Sequence, residues 1–279
     1  MTFKKLASST FLVLLHFARP ATSYAQNFNG SDNFNSPAES SNWGTDITYG
    51  SGALTQTNGY LQFTSAGTGT NGDYAARPWV ANYGSDTANW SVQIDTTVLQ
   101  STADTQFVSF GLEIWDAADT NLYVGDIDGG ASGGYSAYVG SGEDNLLDTA
   151  SAAGLSHGAV MLSFNAATQV ITTYYDSTSP SVGYNWVEIG SFGIAGSGGT
   201  TGNVNWDLGP AGTFQVAAVG YSDDVAATAG NVYGDNFVAV PEPNTSALAV
   251  AGMAMLFCLL RRRRGDRIIS QTLRENLCR

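Results

Sequence analysis

The sequence predicts an all-β protein built as an antiparallel β-sandwich, and three features between Gln26 and Val240 predict it. Period-two segments rich in Val, Ile, Thr, Tyr, Phe and Trp recur, helical periodicity is hard to find, and Gly, Asn, Asp and Ser separate the segments. The 31 glycines of this stretch supply turn positions, as at Asn58-Gly59 ahead of Tyr60. Strands are expected near Tyr60–Thr64, Trp90–Leu99, Gln106–Trp115, Leu122–Asp126, Gly134–Val139, Ala159–Phe164, Val170–Tyr175, Trp186–Ile189, Thr213–Tyr221 and Val232–Val240. Alternation is clearest in Trp90-Ser-Val-Gln-Ile-Asp-Thr, where Trp90, Val92 and Ile94 share one face and polar residues the other. One sheet face is therefore wet, as an antiparallel sandwich requires. No repeat of fixed period stands out, which argues against a propeller or solenoid.

Charge divides the 279 residues in the same way. Ten of the 11 Lys+Arg lie before residue 26 or after residue 260, while Arg77 is the one cation of the 26–240 body, against 21 acidic residues. A body carrying about −20 repels phosphate backbones and anionic lipid, so no nucleic-acid partner is expected. It also holds all six Trp and twelve of the thirteen Tyr, enough for the core of one domain. Both cysteines, Cys258 and Cys278, lie outside it. The fold cannot depend on a disulfide or a Cys-rich zinc site, and a catalytic cysteine in the body is excluded.

The two ends read as addresses. Lys4 and Lys5, an apolar run from Leu6 to Phe17 and then Ser23-Tyr24-Ala25 make residues 1–25 a signal peptide, cut by signal peptidase after Ala25. At the other end, Pro241-Glu242-Pro243 precedes an uncharged run from Ser246 to Leu260 and then Arg261, Arg262, Arg263 and Arg264. Fifteen residues rise about 22 Å as a helix, a short transmembrane span. The arginines stay cytoplasmic and set its direction, which puts the body across the membrane from them. The two prolines hold the tripeptide extended and accessible.

Together, Val-Pro-Glu-Pro, the apolar helix rich in Ala, Gly, Met and Leu, and the Arg cluster resemble a PEP-CTERM sorting signal over residues 241–264. The resemblance implies secretion across the inner membrane of a Gram-negative bacterium and a transient membrane anchor through the C-terminal helix. It also implies processing by exosortase, a membrane-embedded cysteine transpeptidase-like enzyme, and then residence at the cell surface or in extracellular matrix, in association with biofilm and exopolysaccharide. Residues 265–279, a short cytoplasmic tail, depart from the family, which usually stops soon after the arginines.

The body resembles the concanavalin/laminin-G-like jelly rolls. Phe34-Asn35-Ser36 with Trp43 and Thr57–Phe63 resemble the opening strands, Leu162–Asp176 the central hairpin, and Val232–Phe237 the closing strand. This implies first and last strands side by side, with both termini near one edge.

Chemistry is tested residue by residue. Laminarinase-type hydrolases of that fold set acidic residues on alternate positions of one strand. Here Glu113 is followed two positions on by Trp115 and three on by Asp116, so the two carboxylates point to opposite faces and no ~5 Å pair forms. His157 is the one histidine of the mature body, in a Gly-flanked segment without a Gly-x-Ser-x-Gly elbow, and reads as a solvated turn residue. Without lysine, the body has no Schiff-base chemistry. Asp126-Ile-Asp128 begins like a calcium loop but lacks its later ligands. Asp32 and Asp235 are expected to meet at the shared edge, where structural calcium is the cofactor to test and turn capping the alternative. Trp79, Tyr83, Tyr135, Tyr138 and Tyr184 fall in or beside expected loops, and Trp79 and Tyr135 are the glycan-binding candidates, with core packing as the alternative. Arg77 is expected to partner a neighbouring carboxylate. The expectation is a non-catalytic surface or matrix protein. A carbohydrate-binding module for exopolysaccharide is the alternative, and a glycoside hydrolase the third reading.

Overall fold

A computed structural model of the chain describes residues 28–241, apart from 37, 69–71, 101, 103–105, 117–122, 131–133, 142–143, 152–156, 179–182, 207 and 209–211. Residues 1–25, expected to be a signal peptide, and Glu242, Pro243, the apolar run and Arg261–Arg264 lie outside the described residues. Among the described residues no helix is long and apolar enough to cross a membrane.

The strands in chain order are β1 (Gly30–Asp32), β2 (Ile47–Tyr49), β3 (Ala53–Thr57), β4 (Tyr60–Thr64), β5 (Asp73–Pro78), β6 (Gly84–Ser85), β7 (Trp90–Val98), β8 (Phe107–Asp116) and β9 (Tyr123–Gly130). They continue as β10 (Gly134–Ser141), β11 (Asp144–Ser151), β12 (His157–Asn165), β13 (Val170–Asp176), β14 (Val187–Gly193), β15 (Gly202–Asn203), β16 (Thr213–Asp223) and β17 (Val232–Pro241). One sheet runs β15-β14-β13-β12-β7-β17-β4-β3, with β1 also on β17, and the other runs β11-β10-β9-β8-β16-β5-β2, with β6 on β16. All pairings are antiparallel except the short β14–β15 pair. Each of the ten expected strands is present, with ends shifted by a few residues.

Period two explains why the sheets stack. Trp90, Val92 and Ile94 of β7 and Val160, Leu162 and Phe164 of β12 point to the same side as Phe237 and Ala239 of β17. From the other sheet, Val108, Phe110, Leu112 and Ile114 of β8 and Phe214, Val216 and Ala218 of β16 join them in one buried cluster. Each such side chain contributes roughly 1.5–3 kcal/mol by leaving water. The sheets approach closely at two glycines: a Cβ at Gly234 would collide with the Phe110 ring, and one at Gly220 with Phe63.

First and last strands do lie side by side. Gly30, Ser31 and Asp32 pair with Ala239, Val238 and Phe237. An aromatic cluster closes this end of the core, where Trp43 stacks on Phe34 at 5.7 Å and meets Trp79 and Phe237 edge-on at 5.0 and 4.8 Å. The last described residue, Pro241, is also the last of β17 and pairs with Trp90.

Candidate functional site

The outer face of the nine-stranded sheet gathers polar and aromatic groups from four separate parts of the chain. In β7, Asp95 points away from the core-facing Ile94, yet it is 7% exposed. The segment 183–186 covers it. Asp176, the last residue of β13, organises that segment: its Oδ1 accepts the Thr178 N–H at 2.7 Å and the Thr178 hydroxyl at 2.6 Å, and its Oδ2 accepts the Asn185 N–H at 2.6 Å. Held there, Tyr184 donates its hydroxyl to Asp95 Oδ1 at 2.9 Å. From β17, the Asn236 side-chain amide donates to Asp95 Oδ2 at 2.7 Å. A register irregularity between Asp235 and Val238 and a φ of 50° at Asn236 aim that amide. Tyr184 is 37% exposed and stacks on Trp186, with centroids 4.9 Å apart and ring planes at 11°. The two rings form a ledge over a buried carboxylate.

Electrostatics at the ledge follow from burial and like charge. Burial raises the Asp95 carboxyl, hydrogen bonds from Asn236 and Tyr184 oppose this, and the charges of Asp235 and Asp176 add to the rise. Asp235 is also raised, first by burial and then by the charge of Asp32. Burial works to raise Asp176 too, but its bonds from Thr178 and Asn185 outweigh that and hold it below its ordinary range. Burial, followed by the charge of Asp95 and the bond to it, raises the Tyr184 hydroxyl.

Two of the sequence candidates are corrected. Trp79 is fully buried, packed between Trp43 and Phe237, and offers no face to a glycan. Tyr135 faces the core from the second position of β10, stacks on Tyr175 at 4.7 Å and donates its hydroxyl to the Asp176 carbonyl at 3.2 Å. Burial, helped by the charge of Asp176, pushes its hydroxyl up to about 12. Sequence proximity to a loop misplaced both. Tyr184, named in the same group of five aromatics, is the one that stands exposed. Tyr83 is half-buried, and the Tyr138 side chain lies outside the described ones.

Asp32 and Asp235 do come to the shared edge, close enough for the charge of Asp32 to bear on Asp235. Yet Asp32 Oδ1 accepts the Phe34 N–H at 2.7 Å and Oδ2 the Trp43 indole N–H at 2.9 Å, while Asp235 Oδ1 accepts the Asn236 N–H at 2.7 Å. Among the described residues no group of three or more His, Cys, Asp or Glu could hold a metal ion. Calcium takes about six to eight oxygens, so the pair as placed caps turns and does not make a calcium cage. Asp126 and Asp128 lie inside β9, not in a loop. His157 opens β12, exposed, with Nδ1 3.0 Å from the Thr97 hydroxyl, so it is a strand residue and not the turn residue expected. Arg77 is paired, as expected, with Asp46 at 2.6 Å and Glu39 at 2.7 Å.

On the outer face of the second sheet, Glu113 sits beside Trp115, Ala217 and Val219 and accepts the Tyr74 hydroxyl at 2.7 Å. Burial, opposed by that bond, pushes its carboxyl up to about 7. Backbone register sets Asp126 opposite it. Alternation along β16 puts Asp223 on this face as well, and the sequence reading took Glu113 for part of a strand end without noticing its burial.

No family model matches the chain, and no curated protein matches it. Solved structures similar to it include the GH43 BlXynB protein from Bacillus licheniformis, at 13% identity and TM-score 0.44, covering 75% of this chain and 38% of that one. This chain thus spans well under half of that protein's length. The Bacillus licheniformis beta-glucanase matches at 8% identity and TM-score 0.44, covering 77% of this chain and 97% of its own. A lectin from Bauhinia forficata matches at 10% identity and TM-score 0.38, covering 77% and 100%. At these values the likeness is one of strand architecture, and it assigns no role to any residue of this chain.

Proposed function

We propose that this protein is a secreted, non-catalytic surface or matrix sandwich that holds extracellular polysaccharide on the Tyr184–Trp186 ledge. Its PEP-CTERM-like tail delivers it, and an exosortase processes it. The stacked ring pair, with Tyr184 exposed and Trp186 half-buried, carries the binding reading: Tyr and Trp faces stack on the C–H groups of pyranose rings, and Asn236, Asp235 and His157 supply polar partners at the same sheet face.

The test is pull-down of the mature protein with polysaccharide from its native host. Binding is expected, with loss on Tyr184→Ala combined with Trp186→Ala and retention on Phe107→Leu, an aromatic change elsewhere. No binding to any host polysaccharide would sink the reading. The hydrolase reading rests on the placement of Glu113, buried on the outer face of the second sheet, bonded by Tyr74 and with Asp126 opposite in backbone register, and predicts sugar release that Glu113→Gln abolishes. Absence of release from bound polysaccharide supports the non-catalytic reading.

A further inference from the structure

The outer face of the nine-stranded sheet sets like charges directly opposite each other across neighbouring strands. Register aligns Asp176, Ala159, Asp95 and Asp235 in one row across β13, β12, β7 and β17. With strands ~4.8 Å apart, the row spans about 14 Å. Asp95 and Asp235 are direct cross-strand neighbours, a like-charge placement that costs stability. No Lys or Arg reaches it, since the single one of residues 26–240, Arg77, is held by Glu39 and Asp46; hydrogen bonds from Tyr184, Asn236, Thr178 and Asn185 meet Asp95 and Asp176, and His157 lies on the same face two residues from Ala159. A metal does not account for the row either, because no three of the described acidic, His or Cys side chains converge as ligands.

The ledge lies over this row. Tyr184 donates to Asp95, and the backbone of Asn185 donates to Asp176. Aromatic faces attract cations, and carboxylates held in low dielectric just beneath the rings reinforce that attraction while repelling an anionic sugar. A second stack, Tyr60 on Tyr233 at 4.2 Å, sits on the same face, where Tyr233 is two residues from Asp235 on β17. Two aromatic stations with anions between them suit an extended chain better than a single sugar.

We infer that the ligand of this face is a cationic, amine-bearing polysaccharide, whose ammonium groups meet Asp235 and the exposed faces of the Tyr184–Trp186 pair above the buried Asp95. The inference rests on the glycan reading above and adds the charge class of the ligand. An amine-bearing chain gains from both the rings and the row, a neutral chain gains from the rings alone, and a uronic-acid chain is disfavoured.

The test is calorimetric titration of the mature protein with three probes: a glucosamine oligomer bearing free amines, its fully N-acetylated counterpart, and polygalacturonate. The free-amine oligomer is expected to bind at least roughly tenfold more tightly than the acetylated one, with an advantage that shrinks as salt rises. Asp235→Asn should reduce the advantage of the free-amine oligomer over the acetylated one. Trp186→Ala with Tyr184→Ala, checked for folding by near-ultraviolet circular dichroism, should abolish binding of both oligomers while leaving the net charge of the body unchanged. If the double variant binds the amine oligomer as wild type does, the attraction is the diffuse field of an acidic protein and the inference is overturned. Equal binding of acetylated and free-amine oligomers overturns the charge class alone. No binding of these probes or of host polysaccharide overturns both the inference and the reading beneath it.

Discussion

Arg77→Met removes the only cation of the body at a point where three separate segments meet. The Arg77 side chain is 5% exposed, with Nε 2.6 Å from Asp46 Oδ1, Nη2 2.9 Å from Asp46 Oδ2, Nη1 2.7 Å from Glu39 Oε1 and Nη2 3.1 Å from the Leu54 carbonyl. The bidentate contact to Asp46 is the strong one, because its side chain is only 21% exposed, whereas Glu39 at 60% recovers water when released. Breaking a buried pair from one side costs ~3–5 kcal/mol, and the exposure of Glu39 places this case near the lower end, at about 3 kcal/mol. For a domain of this size that lowers the melting temperature by roughly 6–12 °C. Circular dichroism melts of the wild type, Arg77→Met and Arg77→Met/Asp46→Leu provide the measurement, and the double variant is expected to recover part of the loss because no buried carboxylate is then left alone. A single variant that melts within ~2 °C of wild type would refute the reasoning, since even the low end of the estimate exceeds that.

Trp79→Ala should destabilise by about 3–5 kcal/mol in urea unfolding without touching the ledge, and a variant of near wild-type stability would contradict the burial of that ring. Glu113 carries a pH signature. Its carboxyl is raised from 4.5 to about 7, so the folded state binds extra protons between those values, and this group's contribution to stability falls as pH rises through that window. Glu113→Gln should remove that fall, worth up to ~3 kcal/mol; urea midpoints at pH 5 and 8 that change equally in wild type and variant would refute it. Ser91 and Val240 face each other across β7 and β17, so Ser91→Cys with Val240→Cys should form a disulfide that leaves the mass of the processed C-terminus unchanged in the native host. A lock that stops processing would show that β17 must open first.

Long strands were legible because their side chains alternate. Trp90, Val92 and Ile94 announce β7, and Tyr60–Thr64 after an Asn-Gly turn announces β4 to the residue. β5 was not legible: Asp73-Tyr-Ala-Ala-Arg-Pro has two alanines, two charged residues and a proline, and becomes a strand because Ala75 and Ala76 are small enough to be buried on opposite faces beside β16. Trp79 and Tyr135 looked like surface aromatics because they follow turns closely, and nothing local shows that Trp43 folds over one and Tyr175 over the other. The ledge was half visible. Tyr184 stood out in a polar stretch, but Asp95, Asp176 and Asn236 become its neighbours only through the pairing of β17 with β7 and of β12 with both β7 and β13. The mutual repulsion of Asp95 and Asp235 is a property of register, which no local pattern in the chain encodes.

The pairing of Pro241 with Trp90 has a consequence for the tail. Peptidases work on backbone released from its partners, and through Pro241 the backbone is still paired with β7. A peptidase acting within β17 would first have to peel that strand from β7. Were the tail removed beyond Pro241, as proposed above, every rung of β17 would remain, and the sandwich would act as the ruler that measures its own mature length.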